Sequence, residues 1–283
     1  WASGGKAYAE TYDLNAMSGS AKKEEGISTQ EKIKLDDFDE LQADLTIGDL
    51  NILPSGDDSC YLSWRIPAKN GKTAVEYQVK DGVLNLRETK AVFGYTHINI
   101  DFMGEVLSGE DESGSGVTLY LPEKKVLKNI DVTMDFGDVQ MNGVQAESGS
   151  IESDDGDIVL SGCKMQDVKI EADYGDVELK SGTWENGSIT LDDGDVSIRS
   201  TKLSGDISIS NSYGDIDLEL AKKDLEQMGI TAKTDLGDID VPDEMEDLVQ
   251  GETGEYSFSY TPDQPAGRLK LVNDDGDITI END

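Results

Sequence analysis

The chain has 283 residues, 36% of them apolar, with 30 glycines and 6 prolines, which is enough for a sizeable core in one or two domains. Sixty acidic against 24 basic residues leave a net charge of −36, which repels nucleic acid, anionic lipid headgroups and phosphate-rich wall polymers and argues against them as partners. No apolar run is long enough to cross a membrane, and the two cysteines, Cys60 and Cys163, have neither metal-site nor CxxC spacing.

Residues 1–26 are small and polar, with Gly4-Gly5, Ser18-Gly-Ser20 and Lys22-Lys-Glu-Glu25, and read as a flexible leader or tether. The chain opens on Trp1-Ala-Ser-Gly-Gly, without a start methionine. A removed signal or membrane anchor upstream is one explanation, and an arbitrary boundary is the other.

Residues 27–126 read as irregular coils. Ile33 and Leu35, Leu45 and Ile47, Leu50 and Ile52, and Val75, Tyr77 and Val79 alternate with the period of strands. Gly48-Asp49 is a weak first copy of a phrase that becomes regular later, and Asp81-Gly82 reads as a second variant with the two residues exchanged. A long excursion over 88–116, rich in glycine and acid, surrounds His97-Ile-Asn-Ile100. Val117-Thr-Leu-Tyr-Leu-Pro122 then returns to strand.

Residues 127–283 repeat one phrase, with glycines at 137, 156, 175, 194, 214, 237 and 276, so the intervals are 19, 19, 19, 20, 23 and 39. Each glycine is followed by aspartate and then by Ile or Val. Apolar residues recur at positions seven, five and three before the glycine and at two and four after it, as in Ile130, Val132, Met134, Val139 and Met141. Each coil therefore carries two short strands hinged at the Gly-Asp. Like residues stack on like in the next coil.

The expected architecture is an all-β, single-stranded parallel β-helix or β-roll, right-handed by the crossover rule, with about 19–20 residues per coil and about a dozen coils. Residues 27–283 form one continuous domain. Ala221–Met228 and 242–249 read as short helical insertions, and 243–266 as a cover for the open end, placed before a final strand pair from Leu269 to Ile280.

The corner glycine is expected at positive φ with no room for a Cβ, and the aspartate beside it accepts backbone N–H groups. Asp138, Asp157, Asp176, Asp195, Asp215 and Asp238 would then stand in one column, with Asp135, Asp154, Asp173 and Asp192 in a second. Like charges one coil apart repel by about 0.8 kcal/mol even at the dielectric of water. The residue before each glycine offers relief, because Phe136, Asp155, Tyr174, Asp193 and Tyr213 alternate aromatic with acid. The columns are read first as corner posts. A cation ladder with loose calcium association is the alternative, since the single glycine and long period do not match the nine-residue calcium-binding rolls.

Other candidates are few. A polysaccharide-cleaving β-helix would break its repeat at one place, whereas these acids recur in every coil. Arg65, Arg87, Arg199 and Arg268 show no clustering, and His97 has no nucleophile motif around it. No catalytic residue, cofactor or specific metal is expected. Among aromatics able to stack on sugars, Tyr174 and Tyr213 are the candidates for ligand contact. Trp64 is a third, and Trp184 sits where other coils carry core residues.

Val117–Pro122, Ile130-Asp-Val-Thr-Met-Asp-Phe-Gly-Asp-Val139 and the coils after it resemble the bacterial "putative adhesin" family, a domain of unknown function, over roughly residues 33–283. The resemblance implies a β-solenoid at the bacterial envelope, extracytoplasmic and anchored through a segment upstream of residue 1, without established catalytic residues. The expected function is a non-enzymatic adhesive or envelope-sensing scaffold. A carbohydrate-active enzyme and a calcium-dependent surface assembly protein are the alternatives. The ligand at the envelope or host surface and the oligomeric state are left open.

Overall fold

The computed structural model describes residues 27–68, 74–89 and 115–282. The leader and nearly all of the 88–116 excursion, His97 included, lie outside them. The described chain is all-β: an 11-stranded and a 14-stranded sheet face each other, and both are parallel through their middle. The repeat explains why. Each Gly-Asp ends a strand of one sheet and begins a strand of the other, so successive copies add one strand to each.

The register follows the phrase. Val139 pairs with Ile158, Ile158 with Val177, and Val177 with Val196, while on the other sheet Ile151 pairs with Ile170 and Ile170 with Ile189. From the Asp138 to the Asp215 rung the side chains at the five expected positions are buried, and stacked Val, Ile and Leu side chains fill the space between the sheets. Each fully buried one contributes roughly 1.5–3 kcal/mol. A third inward run, Leu127, Ala146, Met165, Trp184 and Leu203, closes the open side of the stack.

Among the described residues the stack has nine parallel two-strand rungs rather than about a dozen, and their order departs from chain order at both ends. We name each rung by its corner aspartate. The Asp49 rung (Glu40–Ile47 and Asp49–Pro54) lies directly on the Asp138 rung (Asn129–Phe136 and Val139–Asn142). Outside it lies a rung that comes later in the chain, Val83–Glu88 with Gly116–Leu121. At the far end the Asp277 rung (Gly267–Asp275 and Ile278–Asn282) is inserted between the Asp215 rung (Lys202–Tyr213 and Ile216–Leu220) and the Asp238 rung (Met228–Leu236 and Ile239–Asp240).

Antiparallel strands cover both ends. Val75–Lys80 and Tyr61–Pro67 lie on the outermost rung at one end, with Ile27–Lys34 beyond the latter. Glu255–Tyr260 and then Val249–Glu252 lie antiparallel at the other end. The helical insertions shrink to one α-turn at Lys222–Leu225 and a 3-10 turn at Glu246–Leu248. Asp81-Gly82 is not a coil corner. Both residues have positive φ, 52° and 82°, and they form the two-residue turn of the Val75–Lys80/Val83–Glu88 hairpin.

Candidate functional site

The corner column is one continuous hydrogen-bonded ladder. The backbone N–H of Asp138 donates to Oδ1 of Asp49 at 3.1 Å, Asp157 to Asp138 at 2.9 Å, Asp176 to Asp157 at 2.8 Å and Asp195 to Asp176 at 2.9 Å. It continues from Asp215 to Asp195 at 2.8 Å, Asp277 to Asp215 at 2.8 Å, and Asp238 to Asp277 at 2.7 Å. Each carboxylate thus takes the place of a backbone acceptor at a point where the chain turns between sheets. Asp49 and Asp277 belong to the ladder although the sequence-based column omitted them; their own Gly-Asp phrases were the available signal. Burial pushes the Asp49 carboxyl above its ordinary range, partly offset by the Asp138 N–H.

The glycines are required for two reasons. Gly137, Gly156, Gly175, Gly194, Gly214 and Gly276 all have φ between 117° and 147°. A Cβ on Gly156 would lie 2.3 Å from the Gly137 carbonyl oxygen, and one on Gly214 2.1 Å from that of Gly194. In the last three rungs a polar core side chain reaches the glycine carbonyl below it: Asn211 donates to Gly194 at 2.8 Å, Asn273 to Gly214 at 2.8 Å, and Thr234 to Gly276 at 2.9 Å. These residues occupy the position held by Met134, Ala172 and Leu191 in other coils, and their burial is legible only once this partner is seen.

Beside the ladder runs the column at the residue before each glycine. In stacking order it reads Phe136, Asp155, Tyr174, Asp193, Tyr213, Asp275 and Leu236. In chain order the alternation fails, because Leu236 would follow Tyr213. The inserted rung places Asp275 between them and restores it. Phe136 is 39% exposed, Tyr174 and Tyr213 each 60%, and Leu236 63%, so the ring-and-acid edge faces solvent. On one side stand Asp154, Asp173 and Asp192, and on the other the ladder.

The other sequence candidates do not join this edge. Trp184 is buried in the third inward run, over Gly187. Trp64 is buried at the covered end, donating to Ser28 Oγ at 3.1 Å. Arg87 pairs with Glu76 at 2.6 Å. Lys125 is held by Asp37 at 2.7 Å and lies 4.9 Å over the Phe38 ring, while Lys222 pairs with Glu244 at 2.6 Å, so these lysines make no anion-binding patch. Both cysteines are buried, and burial pushes the Cys163 thiol up to about 11. Among the described residues no group of three or more His, Cys, Asp or Glu side chains is arranged to hold a metal ion. Two small hollows lie elsewhere, one lined by Leu53, Leu121 and Val144 among others and one by Cys163, Met165 and Trp184.

One titratable group went unrecognised in the sequence. Glu88 ends the outermost rung just before the chain departs, and its Oε1 accepts the Ile47 N–H at 3.1 Å. Burial pushes this carboxyl up to about 7; the Ile47 and Thr46 N–H groups oppose the rise, and Asp135 and Asp44 add to it.

Against known proteins, the family model described as Toastrack DUF4097 matches residues 50–281. Solved structures with similarity include a "putative adhesin" from Bacteroides fragilis NCTC 9343, 15% identical over 91% of this chain and 97% of that one, with a TM-score of 0.43. A "putative cell adhesion protein" from Clostridium sporogenes ATCC 15579 is 14% identical over 90% of this chain and 100% of that one, with a TM-score of 0.36. No curated protein matches the chain.

Proposed function

The chain belongs to the Toastrack DUF4097 family, and we propose that it is a non-enzymatic scaffold exposed at the bacterial envelope, adhesive in role, with its ring-and-acid corner edge as the contact surface. The observation that carries this reading is the continuity of the edge. From Asp49 to Asp238 every inter-rung step keeps the same hydrogen bond. A catalytic β-helix needs the opposite, one place where the repeat is lost and carboxylates converge with a cation. A repeated edge instead presents one weak contact many times, and weak contacts in series add avidity. In the same reading the coil is right-handed, with about 19–20 residues per turn in its regular part. Its carboxylates are corner posts whose outward oxygens associate with cations only loosely.

The test is accessibility and adhesion on cells. Antibody against the chain should label intact bacteria that produce it, and loss of the chain should lower their attachment to surfaces coated with envelope or host material. Labelling confined to lysed cells overturns the reading.

A further inference from the structure

Tyr174 and Tyr213 are aligned two rungs apart with Asp193 between them, and Asp275 follows Tyr213. Two rungs at the spacing of hydrogen-bonded strands amount to about 9.6 Å. Both rings are 60% exposed, and among the described residues no lysine or arginine pairs with Asp155, Asp193 or Asp275. A partner along this line therefore meets an aromatic face and a carboxylate in strict alternation, one per rung, between the aspartate ladder and a second column that reads Asp173, Asp192, Ser212 and Asp274.

Three requirements follow for an occupant. It must be linear and periodic, because the edge is. It must offer a polar or cationic group at every second rung and an apolar face at the rungs between. It must not be anionic, because a chain of net charge −36 repels it. An extended peptide fails on period, since it advances about 3.3 Å per residue with side chains on alternate sides. A polyproline-type peptide repeats every ~9.3 Å, but it turns only one side chain per repeat to the edge and leaves the intervening rung unmet. A β-1,4-linked sugar chain advances by close to one rung spacing per residue. Each pyranose has an apolar C–H face suited to an aromatic ring, and an amino substituent carries positive charge to a carboxylate or a ring face.

We propose that this edge binds a linear β-1,4-linked amino-sugar polymer bearing free amino groups, with Tyr174 and Tyr213 stacking on alternate sugars and Asp193 and Asp275 taking the ammonium groups of the sugars between. The assignment rests on the surface-scaffold reading and gives it a ligand class.

The purified chain is titrated calorimetrically at physiological salt with three probes: a fully deacetylated glucosamine hexamer, its N-acetylated counterpart, and a Lys-Pro-Pro repeat peptide of equal positive charge. The deacetylated hexamer should bind. Its affinity should fall by at least about tenfold in Tyr174→Ala/Tyr213→Ala, the order expected for losing two stacking contacts, and severalfold in Asp193→Asn. Unchanged melting of these variants separates lost binding from lost fold, because all three side chains are exposed. Absent binding of the deacetylated hexamer, or binding indifferent to the tyrosines, overturns the proposal. Equal affinity for the acetylated hexamer overturns its cationic half, and equal, tyrosine-dependent affinity for the Lys-Pro-Pro peptide reassigns the edge to peptides. A chain labelled on intact cells but indifferent to the hexamer loses only the ligand class. A chain hidden on intact cells loses the surface reading while its titration still reads the chemistry of the edge.

Discussion

The Asp277 N–H donates to Oδ1 of Asp215 at 2.8 Å across 62 positions of sequence, and the Asp238 N–H in turn donates to Asp277 at 2.7 Å. A chain that wound in simple order would have joined Asp238 to Asp215 directly. The last coil therefore occupies a slot between two earlier ones, and the aspartate ladder passes through it without a break.

The ladder can be tested at Asp215. Asp215→Ala leaves the Asp277 N–H without its acceptor and should lower stability by about 1 kcal/mol, the typical worth of a hydrogen bond at a partly solvated site. Asp215→Asn keeps an oxygen in place and removes one charge from a column of like charges, so its stability should equal or exceed that of the parent. Urea denaturation of the pair decides between an acceptor role and a purely electrostatic one.

Gly214 meets both demands of the corner, with φ of 117° and a Cβ position 2.1 Å from the Gly194 carbonyl oxygen. Gly214→Ala should cost several kcal/mol, because two backbones must separate. Gly143 has φ of 68° with nothing near its Cβ position. Gly143→Ala should cost only about 1 kcal/mol, the ordinary expense of a left-handed alanine. Thermal melting of the two variants gives the comparison.

Glu88 should make stability depend on pH. Its carboxyl is raised from 4.5 in the unfolded chain to about 7 in the fold. The folded state thus holds the proton more tightly, and this contribution is complete below 4.5 and is lost as pH rises to about 7. A shift of this size corresponds to at most roughly 3 kcal/mol. Glu88→Gln should leave the parent's stability little changed at the acid end of the window, abolish the fall within it, and exceed the parent above it. The difference between parent and variant in urea denaturation across that window removes the general repulsion of the acidic surface, which both share.

The inserted rung should not fray. Leu271 pairs with Ile209 on one side and Ala232 on the other. Amide hydrogen exchange over 267–282 should therefore be as slow as over 202–220, despite its position near the end of the chain. Leu271→Asp buries a charge between two rungs, so protection should fall together in 228–240 and 267–282. Fast exchange of 267–282 in the parent would contradict the insertion.

Much of this was legible in the sequence because the physics of a corner is local. A positive φ, a missing Cβ and an acceptor one residue on are written as Gly-Asp at each turn, and two-residue alternation on either side marks the inward positions, Ile151 and Ile158 as clearly as Val196 and Ile198. Those residues set the two strands of each coil, the register in which one coil stacks on another and the exposure of Tyr174 and Tyr213. Asp81-Gly82 shows the limit of local reading, since the same two residue types also make a hairpin turn, and only the antiparallel partner Val75–Lys80 distinguishes the cases. Asn211 and Asn273 show another, because their acceptors belong to a different rung. The order of the rungs was decided by the tertiary structure alone. Coils built on one repeat fit one another equally well, so their residues cannot rank their neighbours; the connections and the covering strands at each end do that. By placing Asp275 between Tyr213 and Leu236, that order also completes the alternating edge.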